Sequence, residues 1–301
     1  MNSDGPRIFL DYAATTPLRP ESFDAMREAL SAGFNPSSLH AEGRRARALL
    51  DAARERVAAA LGVRPKEIEF TGSGTESDNH ALLGVAHALG RRGRIVSTVF
   101  EHHAILHALD RLRDEGFEIA LVGVESDGTV DPDRFEAALT GDTILATVMY
   151  ANNELGTLAP IEELARRAHA RGALFHTDAI QVPGWLALRP RELGVDLLSL
   201  SAHKFFGPKG VGALYVRDGV ALAPILHGGG QEHGRRSGTE NVLGIAGLAR
   251  ALELAVAEQA ERAPRVAALR DRLEAGILES IPDTRVNGAG APRLPHFSSV
   301  S

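Results

Sequence analysis

Thr143-Ile144-Leu145-Ala146-Thr147-Val148-Met149 reads as an apolar strand, and Pro160 then opens a helix that Gly172 closes. Leu174-Phe175-His176-Thr177-Asp178 follows as a second strand. Two apolar strands joined through a helix form a parallel βαβ unit, because parallel neighbours need a long crossover. The same alternation extends outward from residue 65 to 216. On the N-terminal side it predicts strands over 67–71, 94–98 and 118–122 and helices over 75–89 and 102–115. Asp131-Pro132 starts a short helix with a cap and a first-turn proline. On the C-terminal side it predicts strands over 197–201 and 213–216. This order implies an α/β domain with a mostly parallel sheet, whose ligands bind at the carboxyl ends of strands. Residues 20–32 and about 38–61 read as helices before the block. Residues 240–281 read as helical after it, interrupted near Pro264. Residues 282–295 are rich in turn residues, and His296 to Ser301 begins an alternating strand. That strand either pairs with an earlier one or belongs to a chain cut short, and the second is the expectation adopted.

The chain has 301 residues, which corresponds to roughly two domains. Its 44% hydrophobic and 24% charged residues exclude disorder and collagen. No apolar run approaches the roughly 18 residues of a membrane span. Met1-Asn2-Ser3-Asp4-Gly5 lacks the pattern of a signal peptide, so a cytoplasmic location is expected. A net charge of −6 argues against nucleic acid as the main partner. Cysteine is absent, which removes disulfides, thiolate metal sites and cysteine nucleophiles from this chain. Lysine occurs only at Lys66, Lys204 and Lys209, and the other 30 of the 33 basic residues are arginine. A lysine retained among so many arginines points to chemistry a guanidinium cannot do, above all a Schiff base.

Lys204 lies in Ser201-Ala202-His203-Lys204-Phe205-Phe206-Gly207-Pro208-Lys209-Gly210, just beyond a strand end. Its bland alternative is an exposed lysine beside a Gly-Pro turn, the reading kept for Lys209. Thr71-Gly72-Ser73-Gly74-Thr75 joins a strand to a helix and suits a phosphate cup, with helix N–H groups and the Ser73 and Thr75 hydroxyls as donors. It is neither a dinucleotide fingerprint nor a Walker loop, and a plain tight turn remains the alternative. Asp178 at a strand end can hold a cationic ring nitrogen or simply close a turn. Asn152-Asn153 can recognise a polar ligand or form an Asx turn. His102, His103 and His107 lack the glutamate and cysteine partners of a zinc site, so no metal is expected. His227-Gly228-Gly229-Gly230 resembles an oxyanion loop, but no Gly-x-Ser-x-Gly elbow accompanies it. The polar segment 231–241 reads as a loop over a site or at an interface. A phosphate cup, an amine for an aldehyde and a carboxylate for a ring nitrogen together describe pyridoxal 5'-phosphate.

The motifs also stand in a familiar order. Leu10 to Pro17, Asn35-Pro36-Ser37-Ser38, Thr75-Glu76-Ser77-Asp78-Asn79, Asn152 to Gly156, the Lys204 segment and Arg236-Ser237-Gly238-Thr239 resemble the cysteine desulfurases of the class V aminotransferase group over essentially the whole chain. The resemblance implies the fold-type I architecture: a three-layer α/β/α large domain over 16–260, and an incomplete small α+β domain from 1–15 and 261–301. It implies that Lys204 carries the cofactor as a Schiff base and moves protons, and that Asp178 keeps the pyridine nitrogen protonated. Gln181 would bond the ring hydroxyl, and His102 would stack on the ring and act in acid–base steps. Gly74, Thr75, Ser201 and His203 would hold the phosphate, and Asn153 the substrate. Thr239 would reach the phosphate of a neighbouring subunit, which implies a homodimer.

The family reaction converts L-cysteine to L-alanine, with sulfur passing through an enzyme persulfide to iron–sulfur cluster assembly or tRNA thiolation. The family's sulfur-accepting cysteine and a substrate-binding arginine lie beyond the last residue here. The chain is therefore expected to be a fragment that forms no persulfide. A selenocysteine lyase and a non-catalytic scaffold of the same fold are the competing expectations.

Overall fold

The computed structural model describes residues 8–32, 34–90 and 92–301, apart from the side chain of Ala32. Met1 to Gly5, read above for targeting, and residues 1–7 of the expected small domain lie outside the described residues. Two helices, α1 (Pro20–Ala29) and α2 (Ala41–Leu61), come first. The central block follows as β1 (Ile68–Thr71), α3 (Gly74–Ala88), β2 (Arg94–Thr98), α4 (His103–Asp114), β3 (Glu118–Val122), α5 (Pro132–Ala138), β4 (Thr143–Thr147), α6 (Ile161–Ala170), β5 (Leu174–Asp178), β6 (Leu197–Ser201) and β7 (Gly212–Val216). A long helix, α7 (Val242–Ser280), follows.

The strands form one sheet in the order β1-β7-β6-β5-β4-β2-β3. The run from β3 through β6 is parallel, and β7 is antiparallel to both its neighbours. β4, β6 and β7 are buried at every position, as expected for strands covered on both faces. One face carries an apolar cluster with Leu82 and Val85 of α3 and Ile105, Leu109 and Leu112 of α4. The other packs Leu50 and Val57 of α2, Phe135 of α5, Leu164 of α6 and Leu248 of α7. Helices on both faces make the three-layer α/β/α architecture.

The strands over 94–98, 118–122, 174–178 and 197–201 match the sequence reading residue for residue. Two readings are corrected. Strand β4 ends at Thr147, since Val148 already bonds to His176 outside the regular ladder. Helix α7 runs uninterrupted through Pro264. A proline removes one N–H bond, and the packing of α7 on α1 and α2 outweighs that loss. The turn-rich segment after α7 does pair: Val286 bridges Val300, and Arg285 and Ser301 exchange backbone hydrogen bonds. Among the described residues, no helix is long and apolar enough to cross a membrane.

Candidate active site

The carboxyl ends of β5 and β6 and the amino end of α3 enclose a cavity of about 480 Å³. Nine of the ten predicted site residues line it: Gly74, Thr75, His102, Asn153, Asp178, Gln181, Ser201, His203 and Lys204. They come from segments up to 130 positions apart in the chain, which the crossovers bring to one sheet edge. Thr239 is the exception. It sits exposed on the loop before α7 and does not line the cavity of its own chain.

Each position has a local cause. Ser73 caps α3, its Oγ accepting the Glu76 N–H at 3.1 Å. Gly74 and Thr75 of the first turn line the cavity, where a helix end favours an anion. Glycine is required at position 74, because a Cβ there would lie 2.4 Å from Ile180 Cδ1 and 2.9 Å from Ser201 Cβ. Asp178 ends β5, and its Oδ1 accepts the Ile180 N–H at 2.9 Å. Burial pushes its carboxyl up to about 6, opposed by that N–H and by the Lys204 charge. Burial pushes the Lys204 amine down, opposed by Asp178 and Asp11. Lys204 Nζ donates to the Ala13 carbonyl, which also accepts from Gln181 Nε2 at 3.0 Å. Lys209, by contrast, is exposed.

The two histidines are both pushed toward the neutral form. His102 caps α4, its Nδ1 accepting the Ala104 N–H at 3.1 Å. That bond leaves Nε2 as the protonated nitrogen of the neutral ring. Burial, then Lys204 and His103, lower its basicity. His203 Nδ1 lies 3.0 Å from Thr15 Oγ1, and burial followed by the two nearby lysines pushes the ring down to about 4. The paired asparagines divide their tasks. Asn152 Oδ1 accepts the Glu154 and Leu155 N–H groups at 2.8 and 2.9 Å, an Asx turn, and Asn153 lines the cavity.

Sequence reasoning assigned no role to Thr16, Met149 or Ile180. Thr16 staples the lysine turn. Its N–H and Oγ1 donate to the His203 carbonyl at 2.8 and 2.9 Å, and Oγ1 accepts the Phe206 N–H at 2.7 Å. Phe206 has φ +66°, a left-handed conformation costing about 1–2 kcal/mol in a non-glycine residue. Thr16 sits in the quoted Leu10 to Pro17 motif, which was the available signal. Two further buried acids stand behind Asp178: Asp78 on α3 and Glu101 before α4.

A pyridine cofactor bearing an aldehyde and a phosphate fits this chemistry. The glycine cradle and helix end suit the phosphate, the buried Asp178 a ring N–H, and the half-buried amine a carbonyl. Comparison with known proteins agrees. The family model "Aminotransferase class-V" matches residues 8–301. Cysteine desulfurase IscS of Dictyoglomus turgidum is 49% identical over 296 residues, 98% of this chain and 75% of the relative. The IscS of Methanosarcina thermophila is 45% identical over 303 residues, again covering 75% of its own length. Among solved structures, a NifS-like protein superposes with a TM-score of 0.94 at 40% identity, covering 98% of this chain and 82% of that one. A structure titled "SspA in complex with cysteine" matches with a TM-score of 0.86 at 35% identity, covering 96% of this chain and 82% of that one.

Proposed function

The chain belongs to the aminotransferase class-V family, and from that premise we propose how its pocket performs the chemistry of its relatives. It is a pyridoxal phosphate-dependent enzyme of the cysteine desulfurase type. L-cysteine is the substrate we assign to this pocket, supported by the names of its relatives and by the cysteine-bound neighbour. Bound pyridoxal phosphate supplies an aldehyde for amines and a ring that accepts the electron pair released at a substrate α carbon.

The residues of the chain do the rest. Gly74, Thr75, Ser201 and His203 would hold the phosphate, with backbone N–H groups, hydroxyls and the His203 ring N–H as donors. Asp178, ionised, would hold a proton on the ring nitrogen. Gln181 would offer its amide to the ring hydroxyl, and His102 its imidazole to the ring. Lys204 would hold the aldehyde group through Nζ, and its neutral amine would be the base placed to take a proton from a substrate α carbon. Burial favours this neutral form. Asn153 orients the substrate. With no cysteine in its 301 residues, the chain offers no thiol of its own, so sulfur passes to an acceptor outside them. An iron–sulfur scaffold or another sulfur-carrier protein fits that need.

The Thr239 loop lies exposed outside its own cavity, as a residue serving a neighbour's phosphate would. Phe9, Leu10, Phe23, Leu30, Phe34 and Leu39 expose large apolar side chains near the N-terminus. These features support a homodimer. We keep the division into a large domain (16–260) and a small one (1–15 and 261–301). The buried apolar positions of α7 support it, since they stop at Ala255. We place the reaction in the cytoplasm, whose reducing poise keeps free cysteine as a thiol.

The observation that carries the reading is the convergence of Lys204, Asp178 and the Gly74 cradle on one cavity. Its test is the visible absorption spectrum of the purified chain with added pyridoxal phosphate, beside Lys204→Ala. The parent is expected to show a visible band that the variant loses entirely. A band unchanged in the variant, or absent from a folded parent, overturns the reading.

A further inference from the structure

Behind Asp178 lies a buried polar layer that the roles above do not use. Asp78 on α3 is fully buried, and neither of its carboxyl oxygens meets a hydrogen-bond donor in ordinary geometry. His176, two residues before Asp178 and on the same face of β5, places its Nε2 3.8 Å from Asp78 Oδ1. That Nε2 is 3.0 Å from Ser199 Oγ on β6, and His176 Nδ1 is 2.8 Å from Thr147 Oγ1 on β4. Glu101 faces the same region. Its Oε1 accepts from Thr98 Oγ1 at 2.7 Å and from the Met149 N–H at 3.0 Å, and its Oε2 has no partner. Three buried carboxyls thus share one side of the pocket. The cation bearing on them is Lys204, and it acts on Asp178.

Such a cluster cannot ionise as a whole, because a buried charge needs a partner and like charges oppose one another. Asp178 has the Ile180 N–H and Lys204 in its favour. Asp78 has neither. Resting on the cofactor reading above, we propose that Asp78 is a positioning residue, held as a neutral carboxylic acid. Its O–H starts a hydrogen-bond chain through Ser199 Oγ and His176 to Thr147 Oγ1, and this leaves Asp178 as the acid that carries negative charge. A neutral imidazole completes the chain without strain: Nε2 accepts from Ser199, and Nδ1–H donates to Thr147. The titration tendencies agree. Burial and the Asp178 charge push Asp78 well up, opposed by the Ser199 hydroxyl. Burial pushes Glu101 up to about 8 and His176 down to about 3. The function follows from the charge count. A second ionised carboxyl behind Asp178 would raise the basicity of Asp178, so that it could take the ring proton instead of holding it in place.

The test has one arm without cofactor and one with it. In the full chain labelled with ¹³C-aspartate and free of cofactor, infrared spectroscopy at pH 7 is expected to show a protonated aspartic carboxyl. Asp78→Asn should lose that band. If no protonated aspartate band depends on Asp78, the proposal is overturned. If the variant fails to fold, the parent alone decides: Asp178 titrates near 6 and loses its own band by pH 7, so the absence of any protonated aspartic band above pH 7 refutes neutrality. In the second arm, pyridoxal phosphate is bound and the pH midpoint of its visible band is followed. Asp78→Asn, neutral and still a donor, should leave the midpoint within about 0.3 unit, whereas Asp78→Ala, without a donor, should move it by about 1 unit. Equal midpoints in all three proteins refute the positioning role. If the parent shows no visible band at all, the cofactor reading fails, and the infrared arm still reports the state of Asp78.

Discussion

Glu76 and Asp78 stand two residues apart on α3 and meet opposite surroundings. Glu76 turns toward the loop before α7, where Arg236 Nε grips it at 2.7 Å and the Gly72 N–H donates to it at 2.8 Å. The same loop is tied down twice more. Arg54 reaches buried Glu232 with two bonds of 2.8 and 2.7 Å, and Arg235 reaches Glu69 at 2.6 Å. Glu232 also accepts the Phe70 N–H at 2.9 Å, satisfying a backbone donor on β1, the end strand of the sheet. On this side Glu69, Glu76 and Glu232 each bond to an arginine. On the pocket side, no arginine among the described residues bonds to Asp78, Glu101 or Asp178. The contrast separates two uses of buried charge. Paired acids hold a backbone in place, here a loop with left-handed φ of +46° and +60° at Glu232 and His233. Acids left without an arginine favour the protonated form, Asp78 and Glu101 most of all, while Asp178 keeps Lys204 as its cation.

Substitutions can break or sharpen that contrast. The largest effect is expected from Arg54→Met, which strands Glu232 in a buried site. Loss of one partner of a buried pair costs about 3–5 kcal/mol, to be read as a fall in the denaturant midpoint at unchanged slope. A cost under about 1 kcal/mol would mean that the loop side does not depend on pairing.

Glu101→Gln probes the pocket side. The folded-state pKa of Glu101, about 8, lies above its ordinary value of 4.5, so the folded protein binds the extra proton across that window. The stability of the parent is therefore drained as pH rises from about 4.5 to 8, and the glutamine variant escapes this drain. The variant should gain on the parent by a few kcal/mol over that range, measured by urea unfolding at stepped pH. A flat difference would show Glu101 ionising as freely in the fold as outside it.

The smallest effect is expected at the surface. Arg166 pairs with Glu163 at 2.7 Å, but the arginine side chain is 67% exposed. Arg166→Ala should change stability by less than about 0.5 kcal/mol, and less still in high salt. A larger loss would show that burial is not what distinguishes the Arg54 pair.

Much of the candidate site was legible because it is local. Asp178 ends a strand, Lys204 follows one, and Gly74 opens a helix; each can be placed from apolar alternation and the punctuation beside it. Asn152 could not be told from Asn153, since both suit a turn and only the packing shows which amide closes it. Thr239 was legible as a motif residue but not as a cavity residue, because its place depends on how a long loop is anchored. Asp78 was the hardest to read. In Thr75-Glu76-Ser77-Asp78-Asn79 every side chain is polar, and nothing local distinguishes Asp78, buried against β5 and β6, from exposed Thr75 or partly exposed Glu76.

By itself, then, the sequence determined the alternation of strands and helices, the mostly parallel sheet and the strand-end positions of the candidate site residues. Those follow from backbone periodicity and turn chemistry within a few residues. Only the tertiary structure decided which acids meet an arginine and which do not, that Thr16 locks the Lys204 turn from 187 positions away, and that α7 runs through Pro264. Electrostatic fate and packing are set by neighbours in space, and those neighbours exist only once the sheet has brought distant segments together.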